Sequence, residues 1–142
     1  MKVIKRASAV WSGAVPTGQG AMILGQGQAL PFSLKSRVED SIMTNPEELV
    51  GAALAGCFSM ALSGLIEEAG KVPGTIETSA KVTLEQKSDG FYITEIALIT
   101  RGKDQSLTND EFVGLANQAK GNCPISRLYS SASITLDAAL KS

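Results

Sequence analysis

The chain has 142 residues, 44% of them hydrophobic, and its formal net charge at pH 7 is −1. A chain of this length is expected to fold as one domain, residues 1–142, with a hydrophobic core of its own. The near-neutral charge gives no electrostatic reason to expect nucleic acid or an anionic membrane as a partner, and no apolar run approaches the roughly 18 residues that a membrane span needs.

The first third of the chain is rich in glycine, and short apolar stretches alternate with the glycines. This pattern predicts two or three strands joined by turns, over residues 3–11, 21–24 and 31–34. Residues 1–6 carry charges with no apolar stretch behind them, so we expect no signal peptide and a cytoplasmic protein.

A long helix follows, and its start carries two signals. Asn45 suits the cap position, and Glu48 completes a capping box. The helix is predicted to begin at Pro46, which suits the first helical position, and to run through Leu49 to about Ala69 with its end at Gly70. Residues 49–66 include no charged side chain. A helix that is apolar on all sides is buried on all sides, and one small domain has too little material to cover it. We therefore expect a homodimer that shares this helix.

The second half of the chain carries grouped strand signals. Residues 75–86 and 91–100 are predicted as two strands joined by a hairpin turn at Asp89-Gly90. Residues 133–138 are predicted as a last strand. Because the strands are grouped and do not alternate one-to-one with helices, the predicted fold class is α+β.

Two further helices are predicted between these strands. Thr108 and Glu111 form a capping box for the first of them, and Gly121 is expected to close it. Pro124 then restarts a short helix, because proline suits the first helical position.

The two cysteines are the residues best suited to chemistry. Cys57 lies within the long helix among small residues, and Cys123 precedes Pro124, where a helix begins. The reactive species of cysteine is the thiolate, which a helix N-terminus or a nearby cation stabilises. The chain has no histidine, which excludes a Cys–His pair and a histidine metal site, so we expect no metal and no cofactor. A redox dithiol is the main chemistry that remains.

A thiolate at Cys57 needs a cation from elsewhere, because the field of a helix dipole fades within one turn of the helix end. Arg37 is the obvious candidate, since it lies on the segment that enters the long helix. The other arginines of the chain are Arg6, Arg101 and Arg127.

Each of these residues also has a purely structural interpretation. A lone cysteine among Ala and Gly is often a small core residue, and Glu47 and Glu48 at a helix start often serve only the cap and the dipole. Arg37 could be a solvated surface charge.

Two other functions of the protein stay open. One is a hydrolase or acyl transferase that uses Cys57 but lacks a histidine base, and the other is a non-catalytic dimer that binds small apolar ligands.

Several stretches of the chain carry motifs of a known family. They are residues 44–53 (TNPEELVGAA), residues 55–62 (AGCFSMAL), residues 89–91 with 93–98, residues 119–120 with 123–126 (CPIS), and the ending at 134–142. Over essentially the whole chain these motifs resemble the osmotically inducible protein C (OsmC) family, and Trp11-Ser12-Gly13 also fits it. The sister organic hydroperoxide resistance (Ohr) branch resembles the chain less, because it has an arginine in the first hairpin where residues 17–20 have none.

The resemblance implies an α+β fold of OsmC/Ohr type, with antiparallel sheets around long central helices in an intertwined homodimer. It implies a thiol peroxidase that reduces organic hydroperoxides and hydrogen peroxide in oxidative and osmotic stress defence. Cys57 matches the peroxidatic cysteine and Cys123 the resolving cysteine, and the two would join in a disulfide. Arg37 and Glu47 match the charged pair that activates the thiol. The reductant would be an external dithiol, and the family points to lipoylated proteins.

One spacing favours a site that two chains share. Glu47 lies ten residues before Cys57, which is about 15 Å along a straight helix. Glu47 therefore cannot touch Cys57 on the same helix. We expect Arg37 and Glu47 of one subunit to approach the thiols of the other.

Overall fold

The computed structural model of the protein describes residues 1–103 and 106–141. The chain divides into two compact units, an N-terminal unit over Met1–Leu49 and a C-terminal unit over Val50–Ser142. The N-terminal unit holds a three-stranded antiparallel sheet in the order β1-β2-β3, with β1 at Ser8–Ser12, β2 at Gln19–Ile23 and β3 at Ala29–Phe32. The prediction of strands in this third of the chain is confirmed, although β1 begins later than expected.

Glycine in β2 allows the aromatic side chains of this sheet to lie close to the backbone. Gly20 pairs with Trp11 across the β1–β2 ladder and with Phe32 across the β2–β3 ladder. A Cβ atom at Gly20 would lie 2.9 Å from the Trp11 ring and 3.0 Å from the Phe32 ring. The glycine-rich character of this segment therefore serves close packing as well as turns.

Helix α1, Leu34–Val38, was not predicted, because residues 31–34 were assigned to a strand. The chain leaves β3 at Ser33, whose hydroxyl accepts a hydrogen bond from the Ser36 N–H at 3.2 Å. The Ser36 hydroxyl accepts one in return from the Ser33 N–H at 3.0 Å. This pair is a capping box closed by serine in place of the usual glutamate or glutamine, which is why its sequence signal is weak.

Helix α2, Pro46–Glu68, begins in the N-terminal unit and continues through the C-terminal unit. The predicted cap is confirmed, since the Asn45 Oδ1 atom accepts from the Glu48 N–H at 2.8 Å. The second half of the predicted capping box differs, because the Glu48 carboxylate accepts from the Asn45 Nδ2 atom at 3.1 Å and not from the Asn45 backbone. The predicted end is confirmed as well, because Gly70 has a φ of 76° and the Lys71 N–H bonds to the Ile66 carbonyl at 3.1 Å.

Within one chain α2 is buried along a single stripe and not on all sides. Leu54, Phe58, Leu62 and Ile66, spaced four residues apart, are fully buried in the core of the C-terminal unit. The other side of the helix, which includes Ala52, Ala53, Gly56 and Met60, is exposed.

Helix α2 is also long and apolar enough to cross a membrane by length and composition, with a mean hydropathy of 2.0 over its best 18-residue window. The expectation that no apolar run approaches such a length is therefore wrong. Glycine, serine and alanine interrupt a run of large apolar residues without adding charge, so the averaged hydropathy stays high. The core helix of a globular protein passes the same test, and the buried stripe shows that α2 is a core helix.

The C-terminal unit contains a second three-stranded sheet, in the order β4-β5-β6. Its strands are β4 at Thr75–Lys87, β5 at Gly90–Lys103 and β6 at Ser133–Leu140. The predicted hairpin between β4 and β5 is confirmed as antiparallel, whereas β6 runs parallel to β5. The expectation of antiparallel sheets is therefore wrong for the β5–β6 pair. A parallel neighbour needs a long crossover, and the helices between β5 and β6 supply it.

These crossover helices are α3, Asn109–Asn122, and α4, Pro124–Leu128. The predicted capping box of α3 is confirmed, because the Thr108 hydroxyl accepts from the Glu111 N–H at 3.2 Å. The predicted end of α3 at Gly121 is wrong. The helix continues to Asn122 and ends at Cys123, since a residue before proline is driven out of the helical region.

Candidate active site

The structure brings Cys57 and Cys123 together in the C-terminal unit. Cys57 lies on α2 and is half-buried, while Cys123 lies at the junction of α3 and α4 and is fully buried in the hydrophobic core. Both are free thiols, and they lie close enough for the Cys123 side chain to raise the pKa of Cys57. Two neighbouring free thiols are the starting arrangement for a disulfide.

Three effects set the protonation of Cys57. Burial raises the pKa of the Cys57 thiol, the contact with Cys123 raises it further, and a hydrogen bond to the backbone of Ile125 lowers it. The net pKa is raised, so the thiol form is favoured in this environment. Among the described residues that act on Cys57, none is a cation. The expectation that thiolate formation requires a cation from elsewhere therefore still stands.

Ile125 was not predicted as a site residue. It is the second residue of α4 and follows Pro124, which has no N–H, so its amide is the first N–H that this helix presents. Backbone support for Cys57 was not expected, because the dipole of its own helix acts only near the helix ends. The start of a different helix supplies that support, and the Cys-Pro-Ile sequence was its signal.

A chain of hydroxyl groups fixes α2 on the second sheet. The Ser59 hydroxyl donates to the Thr78 hydroxyl at 2.7 Å, and Thr78 shares a hydrogen bond with the Thr100 hydroxyl at 2.9 Å. Thr100 is fully buried and also donates to the Glu77 carbonyl at 3.3 Å. Buried polar groups that are paired in this way constrain an element more specifically than apolar contacts do. These hydrogen bonds therefore hold α2 in the rotation about its axis that directs Cys57 towards Cys123.

Arg37 and Glu47 lie together in the N-terminal unit. The Arg37 Nε atom donates to the two carboxylate oxygens of Glu47 at 3.2 and 3.3 Å, and the Nη2 atom donates to Oε1 at 2.5 Å. The Glu47 carboxylate raises the pKa of Arg37, chiefly through these hydrogen bonds. Glu47 is 8% exposed, so the interpretation of Glu47 as a mere dipole group is incomplete. Within residues 1–103 and 106–141, no acceptor bonds to the Nη1 group.

Arg37 also borders an open apolar pocket of about 300 Å³ within the N-terminal unit. The other residues that line the pocket are Trp11, Val15, Phe32, Ser33 and Leu34. The Trp11 and Phe32 rings contact each other with centroids 5.5 Å apart, and the Trp11 indole N–H donates to the Gly13 carbonyl at 2.8 Å. Sequence reasoning identified Trp11 only through the family resemblance, because strand periodicity does not show which apolar side chains share a pocket.

The other arginines have different surroundings. Arg101 bonds to the Asp137 carboxylate at 3.1 and 3.2 Å on the second sheet. Arg6 and Arg127 are exposed. Arg37 is therefore the arginine that combines a buried carboxylate partner with a pocket.

The family model described as OsmC-like protein matches residues 39–138. The chain is 41% identical to peroxiredoxin OsmC of Escherichia coli (strain K12) over 144 aligned residues, which cover 100% of both chains. It is 34% identical to organic hydroperoxide resistance protein OhrA of Bacillus subtilis (strain 168) over 98 residues, covering 68% of this chain and 67% of that protein.

The fold is shared with solved structures at lower identity. An organic hydroperoxide resistance protein from Elizabethkingia anophelis superposes with a TM-score of 0.80 at 23% identity, over 99% of this chain and 100% of that chain. OhrB of Bacillus subtilis superposes with a TM-score of 0.70 at 24% identity, over 96% and 98% of the two chains. The family match and the relative that aligns over the full length agree, and the chain belongs to the OsmC family.

Proposed function

We propose that the protein is a cytoplasmic thiol peroxidase that reduces organic hydroperoxides and hydrogen peroxide in oxidative and osmotic stress defence. The observation that carries the proposal is the contact between the Cys57 and Cys123 thiols, in a chain with 41% identity to a peroxiredoxin. A hydrolase needs a base for its cysteine, and the chain has no histidine to provide one.

The proposed cycle uses two thiols and one peroxide. The Cys57 thiolate attacks one peroxide oxygen, the O–O bond breaks, and the alcohol or water leaves with a proton. Cys57 becomes a sulfenic acid. The Cys123 sulfur then attacks the Cys57 sulfur, a disulfide forms, and water leaves. An external dithiol reduces the disulfide by exchange, and a lipoylated protein would suit this step.

In the proposed site, Arg37 supplies the cation that Cys57 lacks. Burial raises the pKa of Cys57, so a positive charge is needed to favour the thiolate near neutral pH. The guanidinium can also donate hydrogen bonds to the peroxide oxygens as negative charge develops on them. Glu47 holds one edge of the guanidinium through Nε and Nη2, and this leaves Nη1 for the reaction.

The apolar pocket beside Arg37 supports a preference for organic hydroperoxides. Its walls are aromatic and aliphatic side chains, and an alkyl or aryl group of a substrate would bury apolar area there. The same pocket also favours the alternative of a dimer that binds apolar ligands without chemistry. A panel of peroxides with dithiothreitol as reductant separates the two functions. We expect consumption of cumene hydroperoxide to exceed that of hydrogen peroxide, whereas binding without any consumption would support the alternative.

We also propose that the protein is an intertwined homodimer. Within residues 1–49, all of them described, the buried residues are Ser36 and Glu47, and both are polar. Apolar side chains of that unit, such as Val10 at 59% exposure, therefore lack cover within the unit itself. Only 28% of the apolar window of α2 is buried within the chain. A second copy is the simplest cover for both surfaces.

Sedimentation equilibrium at low micromolar concentration tests the dimer, which we expect to persist without detectable monomer.

A mixed dimer then tests whether the site is shared between chains. In this account a dimer of Arg37→Ala chains is slow, and a dimer of Cys57→Ser chains is inactive. If Arg37 serves the thiol of the other subunit, the mixed dimer regains one complete site and part of the activity. A folded monomer contradicts the first proposal, and a mixed dimer without activity contradicts the second.

Substitution of Arg37 by alanine is expected to slow the reaction with peroxide about a hundredfold, the cost of removing one preorganised donor to developing charge. Loss of the cation also raises the pKa of Cys57, and only the thiolate reacts with iodoacetamide. The pH midpoint of alkylation therefore moves upward. Arg37→Lys keeps the positive charge but loses the planar guanidinium. Its alkylation midpoint should therefore stay closer to the wild-type value than its rate does.

Arg6→Ala serves as the matched control, since Arg6 is exposed in the N-terminal tail. We expect this variant to show the wild-type rate and the wild-type midpoint. An Arg37→Ala protein that matches the wild type in both measurements would exclude Arg37 as the activating cation.

A further inference from the structure

The Asn45 side chain joins helix α1 to the start of helix α2. Its Oδ1 atom accepts from the Glu48 N–H at 2.8 Å. Its Nδ2 atom donates to the Ser36 carbonyl at 3.0 Å and to the Glu48 carboxylate at 3.1 Å. Because a backbone N–H requires an acceptor, the first contact fixes which end of the amide is oxygen, and the other end must then be the donor.

These hydrogen bonds satisfy backbone groups that both helices leave unpaired. Helix α1 has five residues, and the Ser36 carbonyl lies in its last turn, where carbonyls lack intrahelical partners. The Glu48 N–H lies in the first turn of α2, where N–H groups lack them. A helix as short as α1 is marginal without contacts outside itself. Asn45 therefore fixes α1 as well as capping α2.

The junction that Asn45 closes is the one that the Arg37–Glu47 ion pair spans. Arg37 directly follows Ser36, and Glu47 lies two residues after Asn45. The intervening segment makes a loop, and within it Ile42 is fully exposed. An arginine side chain loses much rotamer freedom when it is held in one place, so its position depends on a fixed backbone beneath it.

We propose that Asn45 is a positioning residue for the peroxidase reaction. It holds α1 against the first turn of α2, so that the Arg37 guanidinium stays bonded to Glu47 and presents its free edge to the reacting thiolate and peroxide. This inference rests on the function proposed for Arg37. The role belongs to the Asn45 Nδ2 donor, which serine, threonine and aspartate lack although they cap helices as well.

Serine at position 45 separates the two roles, because serine is as good a cap as asparagine but cannot reach the Ser36 carbonyl as a donor in the same geometry. We expect Asn45→Ser to move the pH midpoint of Cys57 alkylation upward, in the same direction as Arg37→Ala. The rate with cumene hydroperoxide should fall about threefold to tenfold, the usual effect of one lost hydrogen bond. Asn45→Asp, which keeps the shape and the cap, should behave similarly.

Two comparisons decide between positioning and a general loss of stability. Thr108→Ala removes the cap of α3, and it should lower the melting temperature at least as much as Asn45→Ser while leaving the midpoint and the rate unchanged. In an Arg37→Ala background, Asn45→Ser should have no further effect on the midpoint or the rate, because its action runs through Arg37.

Wild-type behaviour of Asn45→Ser, in a protein where Arg37→Ala slows the reaction, overturns this inference and leaves the proposed function intact. An equal effect of Asn45→Ser with and without Arg37 overturns it too, since the effect is then structural. If Arg37→Ala itself has no effect, the proposed activation by Arg37 fails and the role of Asn45 fails with it.

Discussion

Replacement of Cys57 by serine is expected to abolish peroxide turnover and to leave the fold intact. Serine has nearly the size of cysteine, but its hydroxyl does not ionise near neutral pH and is a poor nucleophile towards peroxide. Cys57 is half-buried on a helix held by the core residues on either side of it, so a small polar change there costs little stability. Steady-state consumption of cumene hydroperoxide measures the loss, and circular dichroism monitors the fold.

The control for Cys57→Ser is Cys123→Ala, which removes the other thiol but keeps the first chemical step. Cys57→Ala should be equally inactive, so a difference between serine and alanine would point to a perturbed structure. A Cys57→Ser protein that retains most of the wild-type activity would mean that Cys123 or another group attacks the peroxide.

Removal of Cys123 is expected to allow the first oxidation and to block the second. Peroxide then leaves Cys57 as a sulfenic acid, one oxygen atom heavier than the thiol, which a dimedone probe traps. The wild-type protein should form little of this adduct, because Cys123 lies in contact with Cys57 and captures the sulfenic acid first. Intact-mass spectrometry after treatment with one equivalent of peroxide reads out both species.

The choice of substituent matters at position 123, because Cys123 is fully buried. Serine would bury a hydroxyl at a core position, in a unit where the Ser126 hydroxyl is already buried without a partner among the described residues. Such a group costs about 1–3 kcal/mol of stability. Alanine avoids that cost and is the better variant. An unmodified Cys57 in a folded Cys123→Ala protein would contradict the assignment of Cys57 as the attacking thiol.

Much of the architecture followed from local signals. Helix α2 was predicted from its cap and its closing glycine, and the β4–β5 hairpin from alternation around Asp89-Gly90, because each signal is encoded within a few residues. The parallel pairing of β6 depends instead on a crossover through α3 and α4, and no local pattern encodes the direction of a distant strand. Helix α1 was missed because its capping box ends in serine.

The residues of the candidate site also fall into two groups, those that the sequence identified and those that it did not. Cys57 and Cys123 could be proposed as a pair because they are the only thiols of the chain, and the structure places them close together in the C-terminal unit. The amide of Ile125 and the side chain of Asn45 could not be identified as parts of a site. Both contribute through groups whose partners lie on another element, and residue type alone does not reveal such partners.

The central claim is that peroxide joins Cys57 and Cys123, and a count of thiols measures this most directly. After one equivalent of cumene hydroperoxide per chain, Ellman's reagent should find neither of the two thiols. The intact chain should be lighter by two hydrogen atoms, and dithiothreitol should restore both thiols. If both thiols remain titratable while the peroxide persists, the protein is not a peroxidase of this kind.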